Sequence, residues 1–438
     1  MTRLIACLAA LLIAAQPARA ATDVVEVTSP GGITAWLVQE ASIPMLAIDI
    51  NFRGGAAVEP DDKLGVTNLM MGLLEEGAGP YDSTGFAARE EELAARFSFS
   101  GGRDSVDISA TMLTEFRDES LDLLALALKQ PSFTQEAIDR VRAQVISNLR
   151  ADETNPNRIV GREFSSRAYA GHPYARPSDG TIETVGALTR DDISAAHERA
   201  LARDRLTVGV VGDITPEELG PLLDRLFEGL PETGPELPAV ADVVDSEETV
   251  VIPFDSPQSV VRFGHSGIAR KDEDFLAAYV VNQVLGAGGY SSRLNDEVRK
   301  KRGLTYGIYT YLASSPFGSL YLGSVASSNA TVAEAIEVTR AEWRRMAEDG
   351  LTAEELADAK RYLTGAYPLR FDGNGRIAGI LVGMQLVGLD TDYIAKRNEL
   401  VEALTLEDVN RVAAELLKPE KLRVIVVGRP EGLEATTQ

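Results

Sequence analysis

The sequence predicts an α+β fold, one sheet-plus-helix unit built twice in tandem. Two observations carry this. The first is an internal repeat. INFRGGAAVEPDDKLGVTNLMMGLLEEG (residues 50–77) aligns with VRFGHSGIARKDEDFLAAYVVNQVLGAGG (residues 261–289), which sets Phe52 on Phe263, Asp61 on Asp272 and Leu74 on Leu285. LTRDDISAAHERALARDRLTVGVVGD (residues 188–213) aligns with LTLEDVNRVAAELLKPEKLRVIVVGR (residues 404–429), in the same order along the chain. The second is the mixture of strand runs and helix runs inside each half, the pattern of a sheet packed against helices. A repeated unit of roughly 200 residues is of ordinary domain size.

Taken in order, residues 1–20 read as a secretory signal. Arg3 gives the charged start, LIACLAALLIAA the apolar core, and Ala18-Arg19-Ala20 the small-x-small cleavage site. The run is too short to span a bilayer. It fits a lipoprotein box only superficially, because the apolar run continues after Cys7 where it should precede it. Cys7 is the only cysteine, so the chain beyond the signal holds no disulfide, thiolate metal site or cysteine nucleophile. An exported chain without disulfides points to a bacterial periplasm. Residues 21–230 form the first unit. Residues 231–248, rich in proline and acid, read as a linker, and residues 249–438 form the second unit. No later stretch is apolar enough for a membrane span. The net charge of −23 argues against nucleic acid and anionic membrane surfaces, which need basic patches.

In the first unit, ITAWLVQE and PMLAIDINF read as strands. GVTNLMMGLLEEG reads as a helix, with Val66, Leu69, Met70, Leu73 and Leu74 on one face. A hairpin turns at Gly101-Gly102. RDESLDLLALALKQP and TQEAIDRVRAQVISNLRADE are helices, and residues 206–211 a buried strand.

The second unit carries the stretch most worth attention, LGAGGYSSRLNDEVRKKRGLTYGIYTYL (residues 285–312). It reads as a glycine-rich turn, a short helix and a strand. Gly286, Gly288 and Gly289 let the backbone turn and leave it bare for a ligand. Ser291 or Ser292 caps the helix, Leu294 and Val298 give it an apolar edge, and Gly303 ends it in a left-handed conformation. A β-rich run follows, residues 304–312. Arg299 falls in the last helical turn and Tyr306 just inside the strand, so one corner brings the two together. The plainer reading of Arg299 is a cation complementing the helix dipole, and of Tyr306, a packed strand residue. The stretch is no nucleotide loop, since it lacks GxxxxGK[ST] and its glycines follow a helical pattern.

His172, His197 and His265 are the three histidines. No pair has HExxH or HxxEH spacing, so no helix presents a zinc dyad. Each reads as structural or solvated, with His197 on the surface. There is no GxSxG elbow and no Ser-His-Asp order.

These residues together resemble the pitrilysin–insulinase family of inverzincin metallopeptidases, which includes mitochondrial processing peptidase. GAGGYSSRLNDEVRKKRGLTYGIYT is similar to that family's glycine-rich loop and Arg/Tyr signature, with Arg299 and Tyr306 at the family spacing. NFRGGAAVEPDDKLGVTNLMMGLLEEGAG is similar to its zinc helix and the segment leading to it. The GHPY loop and residues 188–213 agree with both. The resemblance covers nearly the whole chain after the signal and implies half of a clamshell. Active members read HxxEH in the zinc helix, with a third ligand from a later helix. Here those positions hold Asn68, Met71 and Gly72, and the later one aligns with Asn148, so no catalytic metal is expected in this chain.

The resemblance therefore implies the Arg/Tyr subunit of a bacterial heteromeric type. An HxxEH-bearing homologous partner would hold the zinc, and Arg299 and Tyr306 would be the catalytic contribution of this chain. The substrate class would be extended peptide or unfolded protein. A second reading, from another class, stays open: a catalytically silent peptide-binding or assembly protein of the periplasm.

Overall fold

The computed structural model describes residues 23–436; the secretory-signal reading falls on residues outside that range. In the first half, β1 (Val25–Thr28), β2 (Thr34–Gln39), β3 (Met45–Arg53), β6 (Arg96–Gly101), β7 (Ser105–Leu113) and β8 (Leu206–Gly212) form one six-stranded sheet in the order β1-β2-β8-β3-β7-β6. A small hairpin, β4 (Gly77–Ala78) and β5 (Tyr81–Asp82), stands apart from it. In the second half, β9 (Thr249–Pro253), β10 (Gln258–Ser266), β11 (Ile308–Ser315), β12 (Gly318–Ser328) and β13 (Arg423–Gly428) form a five-stranded sheet, β11-β12-β10-β13-β9. Apart from the edge strand β1, the two orders are the same topology. The repeated sequence is thus a repeated fold.

The central strands β3 and β10 alternate in the way the repeat demands. Leu46, Ile48, Ile50 and Phe52 face one core, and Val261 and Phe263 face its counterpart. The helices Arg190–Ala200 and Leu406–Leu416 begin with the same device. Thr189 and Asp192 bond reciprocally across the first turn of one, and Thr405 and Asp408 across the first turn of the other. Each such capping box ties up amide groups that the helix itself leaves unbonded.

The opposite face of each sheet is covered by the other half. The helix Pro156–Ala168 of the first half lies on β10 and β13, burying Val160, Phe164 and Ala168 against Val260, Ile425 and Val427. The helix Asn374–Leu386 of the second half lies on β3 and β8, burying Ala378, Leu381 and Met384 against Trp36, Val38, Ala47 and Val211. Residue parity explains this. Alternate strand positions point to opposite faces, so Val424 and Val426 join the core of their own half while Ile425 and Val427 receive the foreign helix.

Residues 231–248 contain no helix or strand, yet they are held along their length. Ala241 N–H donates to Phe317 O (2.7 Å) and Val244 N–H to Ala168 O (2.9 Å). Asp245 accepts from Ser266 N–H (2.7 Å) and Lys418 (3.4 Å). This segment is a strap fastened to both halves. No helix among the described residues is long and apolar enough to cross a membrane.

Candidate functional site

The zinc-helix position is built like a core. The helix runs only Val66–Met71 and is followed by tight turns, with Leu73 N–H bonded to Met70 O and Leu74 N–H to Met71 O. It is shorter than the helix expected over residues 65–77, because Gly72 ends it. A buried carboxylate, Glu59, accepts from Gly65 N–H (2.8 Å) and Thr67 N–H (2.7 Å) and so closes its first turn. Met71 is 1% exposed. A side chain at Gly72 would meet Val141 Cγ1 at 3.2 Å. Asn148 sits on the exposed side of the helix Gln135–Glu153, its Oδ1 accepting from Gln144 Nε2 at 3.0 Å. A zinc site needs several nitrogen, sulfur or carboxylate donors converging at about 2 Å. Here a thioether, a missing side chain and two amides occupy the positions, and they do not fit the metal. No cluster of His, Cys, Asp or Glu able to hold a metal occurs among the described residues.

The glycine-rich stretch forms a second, differently built site. The helix Phe275–Asn282 widens into a π-wound turn, Gln283–Ala287, and a second π-wound segment spans Asn295–Lys300. Such widened turns are frequent at functional sites. Ser292 is the cap, its Oγ accepting from Asn295 N–H (3.4 Å). Gly303 ends the segment at φ 67°, with Gly303 N–H bonded to Arg299 O and Leu304 N–H to Val298 O. Gly286 does not bare the backbone for a ligand. It is buried, and a Cβ there would lie 2.3 Å from Thr310 Oγ1, so its missing side chain admits β11. Asn282 Oδ1 accepts from that same Thr310 hydroxyl (2.7 Å), and Asn295 Nδ2 donates to Ile308 O (2.6 Å). Two buried amides thus fasten the π-wound segments to the strand.

Arg299 occupies the last turn, as the sequence predicts. Four cations follow one another there, Arg299, Lys300, Lys301 and Arg302. Asp296 and Glu297 pair with the last three, at 2.6–3.5 Å. Arg299 enters no ion pair or side-chain hydrogen bond among the described residues; its guanidinium lies over the Tyr290 ring, 4.3 Å from the centroid. Tyr290, in the glycine turn, is the residue sequence reasoning passed over, and the aromatic directly after the glycines was its only signal. Tyr306 departs from expectation. It lies in the loop before β11, not inside a strand, and is 85% exposed. Thr305 Oγ1 donates to Ala326 O (2.6 Å) and accepts from Gly307 N–H (3.1 Å), which holds residues 305–307 in a turn off the ladder. No hydrogen bond or ring contact joins Arg299 to Tyr306, and neither side chain has a hydrogen-bond partner among the described residues.

The family models settle the frame. Residues 37–181 match the family described as Insulinase (Peptidase family M16), and residues 187–363 match that described as Peptidase M16 inactive domain. The chain belongs to the insulinase family. It is 25% identical over 370 residues to the non-peptidase homolog YmxG of Helicobacter pylori, covering 84% of this chain and 85% of that one. It is 24% identical over 393 residues to the uncharacterized zinc protease YmxG of Bacillus subtilis, covering 89% and 94%. A crystal structure of a peptidase M16 inactive domain from Pseudomonas fluorescens superposes with a TM-score of 0.87 at 26% identity, covering 95% of this chain and 100% of that one.

Within this insulinase-family fold the histidines are structural. His265 is 2% exposed; its Nε2 accepts from Trp343 Nε1 (3.1 Å) and Lys418 N–H (3.3 Å), leaving Nδ1 to donate to Ser266 O (2.7 Å). Burial pushes its pKa down to about 4. His197 is half-buried, not on the surface, because its ring packs edge-on to Phe133 and its Nε2 bonds Leu128 O (2.8 Å). His172 bonds Ala239 O (2.9 Å) in the GHPY loop. That loop is the joint between the halves. Tyr174, fully buried, donates to Asp104 and accepts from Phe317 N–H (3.1 Å), while Tyr169 donates to Gly318 O (3.2 Å).

Proposed function

We propose that this chain is the zinc-free subunit of a heteromeric zinc endopeptidase of the periplasm, pairing with an HxxEH-bearing relative. The observation that carries the reading is the contrast between its two sites. The zinc-helix position is filled with Met71 and Val141, whereas Arg299 and Tyr306 keep donors without a hydrogen-bond partner among the described residues. The partner would hold the zinc, which would supply an activated water. Arg299 and Tyr306 donate hydrogen bonds to the carbonyl of the scissile peptide and to the oxyanion that forms from it. Such a donor gains strength as negative charge develops, which makes it catalytic and not merely binding. Tyr290 beneath the guanidinium holds it flat and limits its freedom, so less order is lost when substrate arrives. The outer edge of β11 is unpaired in the sheet order, and an extended peptide can add there as a further strand.

The test is hydrolysis of a quenched-fluorescent peptide by this chain, by an HxxEH-bearing partner and by their equimolar mixture, each with and without chelator. Chelator-sensitive hydrolysis is expected mainly in the mixture. Arg299→Ala or Tyr306→Phe is expected to slow it about 10²-fold, the usual effect of removing one oxyanion donor. A mixture rate indifferent to both substitutions overturns the role given to these residues. No gain on mixing, with peptide still bound, favours the silent peptide-binding or assembly protein instead.

A further inference from the structure

A cavity of about 470 Å³ lies beside β11 in the second half, walled by Phe275 and Tyr279 of the helix Phe275–Asn282, by Tyr367 and Phe371, and by Leu312 of β11. Three arginines line it, and no aspartate or glutamate does. Arg397 is 5% exposed; it donates to Leu363 O (2.7 Å) and stacks 4.6 Å from the Tyr367 ring centroid. Arg270 lies 4.3 Å over Phe275 and donates to the Tyr393 hydroxyl (3.2 Å). Arg370 is exposed at the rim, its side chain without a hydrogen bond or ion pair among the described residues. None of the three is in an ion pair among the described residues, in a chain whose net charge is −23.

That combination is unusual in energetic terms. A cation taken out of water without a counter-ion is costly unless neutral groups solvate it, and burial accordingly lowers the Arg397 pKa. A carboxylate entering the cavity would meet guanidinium groups already held by ring stacking, the arrangement in which charge-assisted bonds are strongest. The aromatic walls suit an apolar side chain carried by the same ligand, and the volume is that of a small-ligand site. Leu312 and Ser314 of β11 border it, four to six residues along the strand from its start at Ile308, about 13–20 Å.

We infer that this cavity binds the free carboxylate of an apolar C-terminal residue, anchoring the end of a peptide laid along β11 at a fixed distance from Arg299 and Tyr306. The inference rests on the reading of the chain as a handler of extended peptides, but its test needs no partner and no hydrolysis. The full chain is titrated calorimetrically with N-acetyl-leucyl-phenylalanine, with its C-terminal amide, and with N-acetyl-glutamyl-phenylalanine amide, which carries its carboxylate on a side chain. The free acid is expected to bind at least about ten-fold more tightly than either amide. Arg370→Gln, at an exposed position, is expected to remove most of that preference, and Arg270→Gln the same if its melting temperature shows an intact fold. Equal binding of acid and amide, tighter binding of the side-chain acid, no binding of the free acid, or a preference that survives Arg370→Gln overturns the inference. A dead peptidase mixture combined with an intact carboxylate preference would defeat the catalytic reading alone.

Discussion

Met71 and His265 show how much a single side chain decides in this molecule. Replacing Met71 by the glutamate of active relatives would place a carboxylate where the residue is 1% exposed, with no metal to receive it. Burying an unpaired charge or neutralising it costs several kcal/mol. Met71→Glu is expected to lower stability by about 3 kcal/mol or more without creating a zinc site, read from urea midpoints and zinc content; a stable, zinc-loaded variant would refute this. His265 gives stability a pH dependence. Its ordinary value of 6.5 falls to about 4 in the fold, mainly through burial. The unfolded chain therefore binds the proton first as pH drops, so this stabilisation is complete above about 6.5 and is lost progressively down to about 4, by about 3 kcal/mol. His265→Gln keeps an acceptor for Trp343 and is expected to flatten the fall of the urea midpoint between pH 7 and 4.5. Parallel curves for the two proteins would contradict it. That Asn68, Met71 and Gly72 stand where active relatives carry HxxEH was legible in the letters, because the pattern is one of residue type and spacing alone. The Tyr290–Arg299 contact was not, because it depends on how the glycine turn folds back.

At the scale of elements, the glycine-rich corner is a turn and two π-wound segments nailed to β11. Two of its glycines serve opposite purposes. Gly289 has φ 56° and open space around the missing side chain, whereas Gly286 has Thr310 Oγ1 2.3 Å from where a Cβ would sit. Gly289→Ala is expected to cost about 1 kcal/mol, the backbone preference alone. Gly286→Ala must displace Thr310 and break its bond to Asn282, and is expected to cost about 3 kcal/mol. Urea titration of the two variants decides; equal costs would mean that β11 does not press on the turn. The turn, a cap at Ser291 or Ser292 and the Gly303 stop were legible because their chemistry is local; the structure selects Ser292. The π winding was not, since an apolar spacing compatible with 3.6 residues per turn also accommodates one widened turn. Tyr306 was misplaced for a related reason: Thr305 bonds its neighbours and β12, an interaction no alternation pattern reveals.

At the scale of the whole molecule, the duplication was legible from two aligned segments, and the matched strand orders follow from it. Which sheet each helix covers was not, because an amphipathic pattern says only that one face is buried. The helix Pro156–Ala168 and the helix Asn374–Leu386 each serve the opposite half. Cutting the strap after the exposed Glu236 with a glutamate-specific protease is therefore expected to leave a nicked chain that elutes as one particle and separates only in denaturant. Separate fragments on a sizing column in native buffer would show that the exchanged helices do not hold the halves together. The exchange also sets a timetable for synthesis. Trp36, Val38, Ala47 and Val211 wait for Ala378, Leu381 and Met384, which leave the ribosome long after them. Until then the nascent chain carries a sticky apolar face, so any truncation before residue 374 makes an aggregation-prone product.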